Sequence, residues 1–198
     1  MPSASVGGNL ADVETFVTDV GQARAPDAGD IARIYIESWH DAYAGSVPTA
    51  LLRAMTISGQ TARWQAAIAA REPVFVARHE RHGVVGMTSF GRSRDPEPGP
   101  DGEVYTLYVD PAFYDRGVGR ALLTGAFAEL QRRGFSGCLI WAHAKNPARF
   151  FYERLGGRLV AERTIRLGGE PIPEAGFAWR KLALKRQASL SDPSAGGI

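Results

Sequence analysis

The residues with the strongest claim to chemistry lie between Glu103 and Arg133. A strand reading Leu107-Tyr108-Val109 runs through Asp110-Pro111 into Asp115-Arg116-Gly117-Val118-Gly119-Arg120, where a long helix begins. Consecutive backbone N–H groups at a helix start, with glycines that admit a close approach, make an anion site. The helix terminus contributes about half a positive charge, and Arg116 and Arg120 can add whole ones. A diphosphate suits such a cradle; the competing reading is a plain strand–loop–helix connection. Rival motifs fit less well. A dinucleotide fingerprint needs a third glycine where Leu122 stands, and no acidic residue closes a strand about 20 residues later. No Gly-x-x-x-x-Gly-Lys-Ser/Thr loop occurs, and Ser89 has Met87 where a nucleophile elbow needs glycine.

The elements that must hold this loop follow from punctuation and periodicity. A short strand near 20–25 precedes a helix capped by Asp27 or Asp30, with Ile31, Ile34, Tyr35, Ser38 and Trp39 along it, and Gly45 and Pro48 end it. Helical segments follow at about 49–55 and 60–70. Strands at 73–78 and 84–90 flank a hairpin turn, and the proline-rich stretch 93–102 excludes a helix or central strand. A strand at 103–109 leads into the helix at 117–133, whose apolar stripe is Val118, Ala121, Leu122, Phe127 and Leu130, with Gly134 as terminator. A strand at 137–141, a helix at 147–155 and strands at 158–167 and 176–184 complete a mixed α/β order rather than a regularly alternating one.

Composition bounds the class. The chain has 198 residues with 44% hydrophobic and 22% charged side chains, enough apolar material for one sizeable core. Its net charge of +2 comes without a run of like charges, which argues against a nucleic-acid partner or a basic membrane-binding surface. The single cysteine, Cys138, can form neither an internal disulfide nor a cysteine-based zinc site and fits a reducing compartment. No stretch approaches a transmembrane span, and the first residues lack a signal-peptide pattern, so a cytoplasmic location is expected. Residues 1–16 and 187–198 read as disordered tails around a single domain at 17–186.

A second segment sharpens the reading. Asn146-Pro147-Ala148-Arg149-Phe150-Phe151-Tyr152-Glu153-Arg154-Leu155-Gly156, about 30 residues after the glycine loop, together with that loop resembles the GNAT N-acetyltransferase superfamily. The family's phosphate loop reads Gln/Arg-x-x-Gly-x-Gly/Ala; here it is Tyr114-Asp115-Arg116-Gly117-Val118-Gly119, departing at Tyr114 and at Asp115, an acid facing an expected anion. The resemblance runs from Val20 to Leu184, including the Leu-Gly-Gly-Glu-Pro-Ile-Pro hairpin near the end.

The resemblance implies a single mixed-sheet α/β domain with a splayed central strand pair and helices on both faces. It also implies acetyl-CoA as co-substrate, no metal, and transfer of acetyl to a primary amine by direct attack in a ternary complex. Pantetheine would pair with the backbone of Leu107, Tyr108 and Val109, and the diphosphate with amides from Asp115 through Arg120, Val118 among them. Asn146 and Phe151 would lie near the thiol end, and Tyr152 would protonate the departing thiolate. An alkyl amine is neutral only about one part in a thousand near pH 7, so a base must take up a proton at a cost of about 4–5 kcal/mol. Glu103, acting through water, is the implied base; His40, His79, His82 and His143 are the other candidates. Cys138, mid-strand and without a charged neighbour, reads as a packed thiol rather than an acyl carrier.

The acceptor would enter on the face opposite the nucleotide, lined by Trp39, Tyr43, Tyr105, Trp141 and Trp179. Aromatic walls suit an amphipathic amine through cation–π contact. A small-molecule amine and a peptide or protein amine both remain open, as does a homodimer. A non-catalytic acyl-CoA sensor on the same fold is the alternative from another class.

Overall fold

The computed structural model describes residues 19–183 except 44, 46 and 95–98. The expected tails and residue 184 lie outside the described residues. The element order is β1 (Asp19–Gln22), α1 (Ala28–Tyr43), α2 (Thr49–Ala54), α3 (Ile57–Ala69), β2 (Val74–His79), β3 (Gly83–Arg92), β4 (Gly102–Val109), α4 (Val118–Arg132), β5 (Cys138–His143), α5 (Ala148–Arg154), β6 (Arg158–Leu167) and β7 (Glu170–Trp179). The strands form one mixed sheet in the order β1-β2-β3-β4-β5-β7-β6, with β4 and β5 its parallel pair.

Helices cover both faces. On one, α1 buries Ile31, Ile34, Tyr35 and Ser38 at helical spacing, and with Trp64 of α3 packs on Val74, Val76, Val84 and Met87. On the other, α4 buries Leu123, Ala126, Phe127 and Leu130 against Phe90, Val104 and Ile140, and Val118 and Leu122 against Ala77 and Val85. The stripe thus runs through Leu123 and Ala126 rather than Ala121, which is half-buried. Thr56 starts α3 earlier than its alanines suggest, its hydroxyl accepting from the Gly59 amide at 3.1 Å.

The last strand differs most from expectation, beginning at Glu170 instead of 176. Pro171 and Pro173 argue against a central strand, yet both sit in β7 opposite Arg166 and Thr164 of β6. They are tolerated because β5 pairs with β7 only from Glu174 onward. The Pro173 carbonyl points to that open side, where it accepts from the Ala144 amide at 2.8 Å, so the missing N–H faces no ladder partner.

Two irregularities in β4 matter for the site. Its pairing with β5 covers only Gly102, Glu103 and Val104, opposite Cys138, Leu139 and Ile140; beyond that the strands part. Asp101 fixes the closed end, its carboxylate accepting from the Ser136 amide at 3.0 Å and the Gly137 amide at 3.2 Å. The register against β3 also slips by one: Ser89 opposes Thr106 whereas Phe90 opposes Val104, leaving Tyr105 as a bulge. The Thr106 hydroxyl repairs the ladder by accepting from the Ser89 amide at 3.0 Å.

Candidate active site

The bulge decides which side chains of β4 share a wall. Strand alternation would set Glu103, Tyr105 and Leu107 on one face and Thr106 and Tyr108 on the other. With one residue extra, Glu103, Tyr105, Thr106 and Tyr108 all face α1 and α3, while Val104, Leu107 and Val109 face α4. The first set lines a cavity of about 380 Å³, within the range of small-molecule sites. Its other walls are Tyr35, Trp39 and Tyr43 of α1, Arg63 and Trp64 of α3, Trp141 of β5, Arg163 of β6 and Glu174 of β7.

Glu103 is not a solvated strand end; it is 1% exposed. Its carboxylate accepts from the Arg94 backbone amide at 2.8 Å, from Arg94 Nε at 3.1 Å and from Arg94 Nη2. The pair raises the Arg94 pKa above its ordinary value, the Glu103 hydrogen bond outweighing partial burial. The guanidinium lies 4.7 Å from the Tyr105 ring centre, and the Tyr105 hydroxyl donates to the Arg92 carbonyl at 2.7 Å. Across the cavity Arg163 repeats the arrangement, stacked 3.9 Å from the Trp141 ring centre and donating to Glu174 at 2.8 Å.

Tyrosines gather beside the split. Tyr108 meets Tyr35 edge-on at 5.5 Å. Tyr152 is buried against Phe151, Phe177 and Trp179, and burial, then Tyr43, pushes its phenol well above the ordinary range. The Tyr43 phenol is raised to about 12, by burial first and Glu174 next. Tyr108 is raised by burial and then by Tyr43, Tyr35 and Tyr152, so these phenols lie close enough to affect one another. All stay protonated near neutral pH. His143 is buried 5.8 Å from the Tyr43 ring; burial, then Lys145, lowers its pKa.

The glycine loop closes the other side of the split. Gly117 caps α4 at φ 78°, and a Cβ on it would meet nothing within 4 Å, so the space above it is open. Asp115 also has positive φ, 58°, a conformation that aspartate tolerates, and is exposed. Helix geometry leaves the N–H groups of Val118 and Gly119 without an intrahelical acceptor. A Cβ on Gly119 would stand 3.2 Å from Phe151 and 3.7 Å from Val109, so this glycine lets α5 and β4 close on the loop. Asn146, just before α5, uses its side-chain oxygen to accept from the Ala148 amide at 2.8 Å, leaving its NH₂ for other partners.

Of the residues singled out in the sequence, Glu103, Tyr105, Trp39, Tyr43 and Trp141 come together around the cavity, with Tyr108 beside them. Trp179 does not. It is a core residue packed on Phe127, 3% exposed, whose indole N–H donates to the Leu155 carbonyl at 3.1 Å. Sequence reasoning missed Arg63, Trp64, Arg94, Arg163 and Glu174. Tyr35 had a signal: it lies one turn before Trp39 and two before Tyr43. Cys138 is fully buried in the core, its thiol donating toward the Leu139 carbonyl at 3.5 Å and pushed up strongly by burial. Among the described residues no cluster of His, Cys, Asp and Glu suits a metal ion, and no helix is long and apolar enough to cross a membrane.

Known proteins share this fold. The model of the acetyltransferase (GNAT) family matches residues 31–157. The uncharacterized N-acetyltransferase YuaI of Bacillus subtilis (strain 168) is 32% identical over 164 residues, spanning 83% of this chain and 94% of that protein. Among solved structures, yncA from Salmonella typhimurium, determined with its cofactor acetyl-CoA, superposes with a TM-score of 0.61 at 22% identity, over 88% of this chain and 98% of that one. The ribosomal-protein-alanine N-acetyltransferase from Brucella melitensis gives 0.64 at 19% identity, over 81% and 98%. With the split strand pair, the glycine-started helix and a matching family model spanning both, this chain is a member of the GNAT family of N-acetyltransferases.

Proposed function

We propose that the chain transfers acetyl from acetyl-CoA to a primary amine, with both substrates bound together. The observation that carries this reading is that β4, past its last pairing with β5, borders both halves of the site. Val109 packs at the glycine loop, while Thr106 and Tyr108 line the aromatic cavity. The residues present fit the coenzyme: open space over a left-handed glycine, amides aimed from a helix start, and a strand edge that β5 has vacated.

Acetyl-CoA supplies a thioester, an activated acyl group with a thiolate as its leaving group. In this reading the amides from Asp115 to Arg120, with the Arg116 and Arg120 side chains, hold the diphosphate. The backbone edge of Leu107, Tyr108 and Val109 binds the pantetheine amides in place of a strand. Phe151 and the free NH₂ of Asn146 border the thiol end. Tyr152 keeps its proton because burial disfavours the phenolate, so the hydroxyl is a hydrogen-bond donor for the leaving sulfur, while the same burial makes complete transfer of the proton costlier than from an ordinary phenol. Glu103, its charge balanced by Arg94, accepts the proton of the amine through water. Cys138, with its thiol buried in the core, takes no part.

The test is thiol release from acetyl-CoA across a panel of amines, comparing wild type with Tyr152→Phe. Loss of the acid should lower kcat by about 10²–10⁴-fold and leave coenzyme affinity nearly unchanged. Equal rates would remove Tyr152 from the role. Acetyl-CoA at 100 times its Kd should stabilise the fold by about 2.7 kcal/mol, an independent reading of the coenzyme site.

A further inference from the structure

The three arginines of the cavity are built alike except in one respect. Each lies over an aromatic ring: Arg94 over Tyr105, Arg163 over Trp141, and Arg63 over both Tyr35 and Trp64, at 5.5 and 5.0 Å from the ring centres. Arg94 is neutralised by Glu103 and Arg163 by Glu174. Arg63 takes part in none of the ion pairs among the described residues; its one polar contact is a long bond to Gln60 Oε1 at 3.4 Å. Two stacked rings hold this guanidinium at the cavity wall with its charge uncommitted. The neighbouring Trp64, 3% exposed, has an indole N–H without an acceptor, and so does Trp141 across the cavity. The uncommitted groups on these walls are therefore donors, which await an acceptor-rich anion.

Building on the acetyltransferase reading, we propose that the amine acceptor is a small aromatic or apolar molecule that also carries a carboxylate, and that Arg63 binds that carboxylate. The position suits this. Arg63 rests on Tyr35, and Tyr35 meets Tyr108 edge-on, so the guanidinium stands two ring contacts from the strand residue beside the split. An acceptor whose amine points to Glu103 and whose carboxylate points to Arg63 would span the cavity, with the uncommitted guanidinium answering the carboxylate. Its body would lie on Trp39, Tyr43 and Trp141. Arginine is the residue for this task because its planar fork matches a carboxylate with two parallel bonds.

The experiment compares matched amines with and without the acid: L-phenylalanine against phenethylamine, and 4-(aminomethyl)benzoate against benzylamine, which differ in reach from amine to carboxylate. At least one acid should exceed its uncharged partner in kcat/KM by about 10–100-fold, the span of a hydrogen bond to a charged group, mostly through KM. Arg63→Gln should abolish that preference, the acid falling in kcat/KM to the level of its uncharged partner in the same variant, and Arg63→Lys should restore part of it. Independently of turnover, 3-phenylpropionate should raise the melting temperature of wild type and not of Arg63→Gln. Equal rates within both pairs, a preference that survives Arg63→Gln, or no stabilisation by the carboxylate would each overturn the proposal while the transferase reading stands. Failure to bind acetyl-CoA at all would overturn the transferase reading and this inference with it.

Discussion

The Glu103 carboxylate, nearly inaccessible to solvent, is held from one side by the main-chain amide and guanidinium of Arg94, nine residues earlier in the chain. Removing the guanidinium leaves a buried charge with only the amide of residue 94 as donor. Arg94→Met should therefore cost about 1–3 kcal/mol in chemical denaturation. The double variant Arg94→Met/Glu103→Gln should recover part of that loss, and a double-mutant cycle measures the coupling. Strict additivity of the two substitutions would show that the pair contributes nothing to the fold.

The glycines of the loop have separate tasks and should fail differently. Gly117 has φ 78° with open space around it, so Gly117→Ala should cost about 1–2 kcal/mol for the left-handed backbone and weaken coenzyme binding as the amides turn away. Gly119→Ala has no such backbone strain; it should instead push Phe151 aside by a few tenths of an ångström. Calorimetric titration with coenzyme A, paired with thermal melts, separates the two. Undiminished affinity in Gly117→Ala would count against the loop as the diphosphate site.

Cys138→Ala should keep most of its turnover and lose about 1 kcal/mol of stability, as for a small core truncation. An acyl-cysteine route would instead lose all activity without loss of fold, which steady-state thiol release detects directly.

Acid stability has a local contributor in Glu129. Its carboxyl is held down to about 2 from an ordinary 4.5, by the hydrogen bond from Arg132 first, against burial, and then by Arg133. A depressed carboxyl stabilises the fold fully above its unfolded value and loses that contribution as pH falls toward the folded one. Between about pH 4.5 and pH 2, Glu129→Gln should therefore flatten the decline of the melting temperature relative to wild type. Parallel curves would show that these contacts contribute little.

Much of the scaffold was legible because short-range rules governed it. Gly117 and Gly134 mark the limits of α4, and Ile31 to Ser38 keep helical spacing on α1. The glycine loop was legible for the same reason: strand, glycines and helix are contiguous. The cavity was not. Arg94 meets Glu103 across a proline-rich loop, and Arg163 meets Trp141 and Glu174 only because β6, β7 and β5 are sheet neighbours. Nothing local distinguishes Trp179 in the core from Trp141 at the cavity, since both sit on strands of apolar character. The start of β7 was hidden by Pro171 and Pro173, whose acceptability depends on where another strand ends.

The extra residue at Tyr105 makes the phase of this strand a functional quantity. Ironing the bulge flat with every residue retained would invert everything downstream, turning the greasy Leu107 and Val109 toward the cavity and driving the Tyr108 phenol in among the α4 leucines. Deleting Tyr105 itself would leave Thr106, Leu107 and Tyr108 on their present faces, so the bulge gives the cavity one more side chain from the same strand.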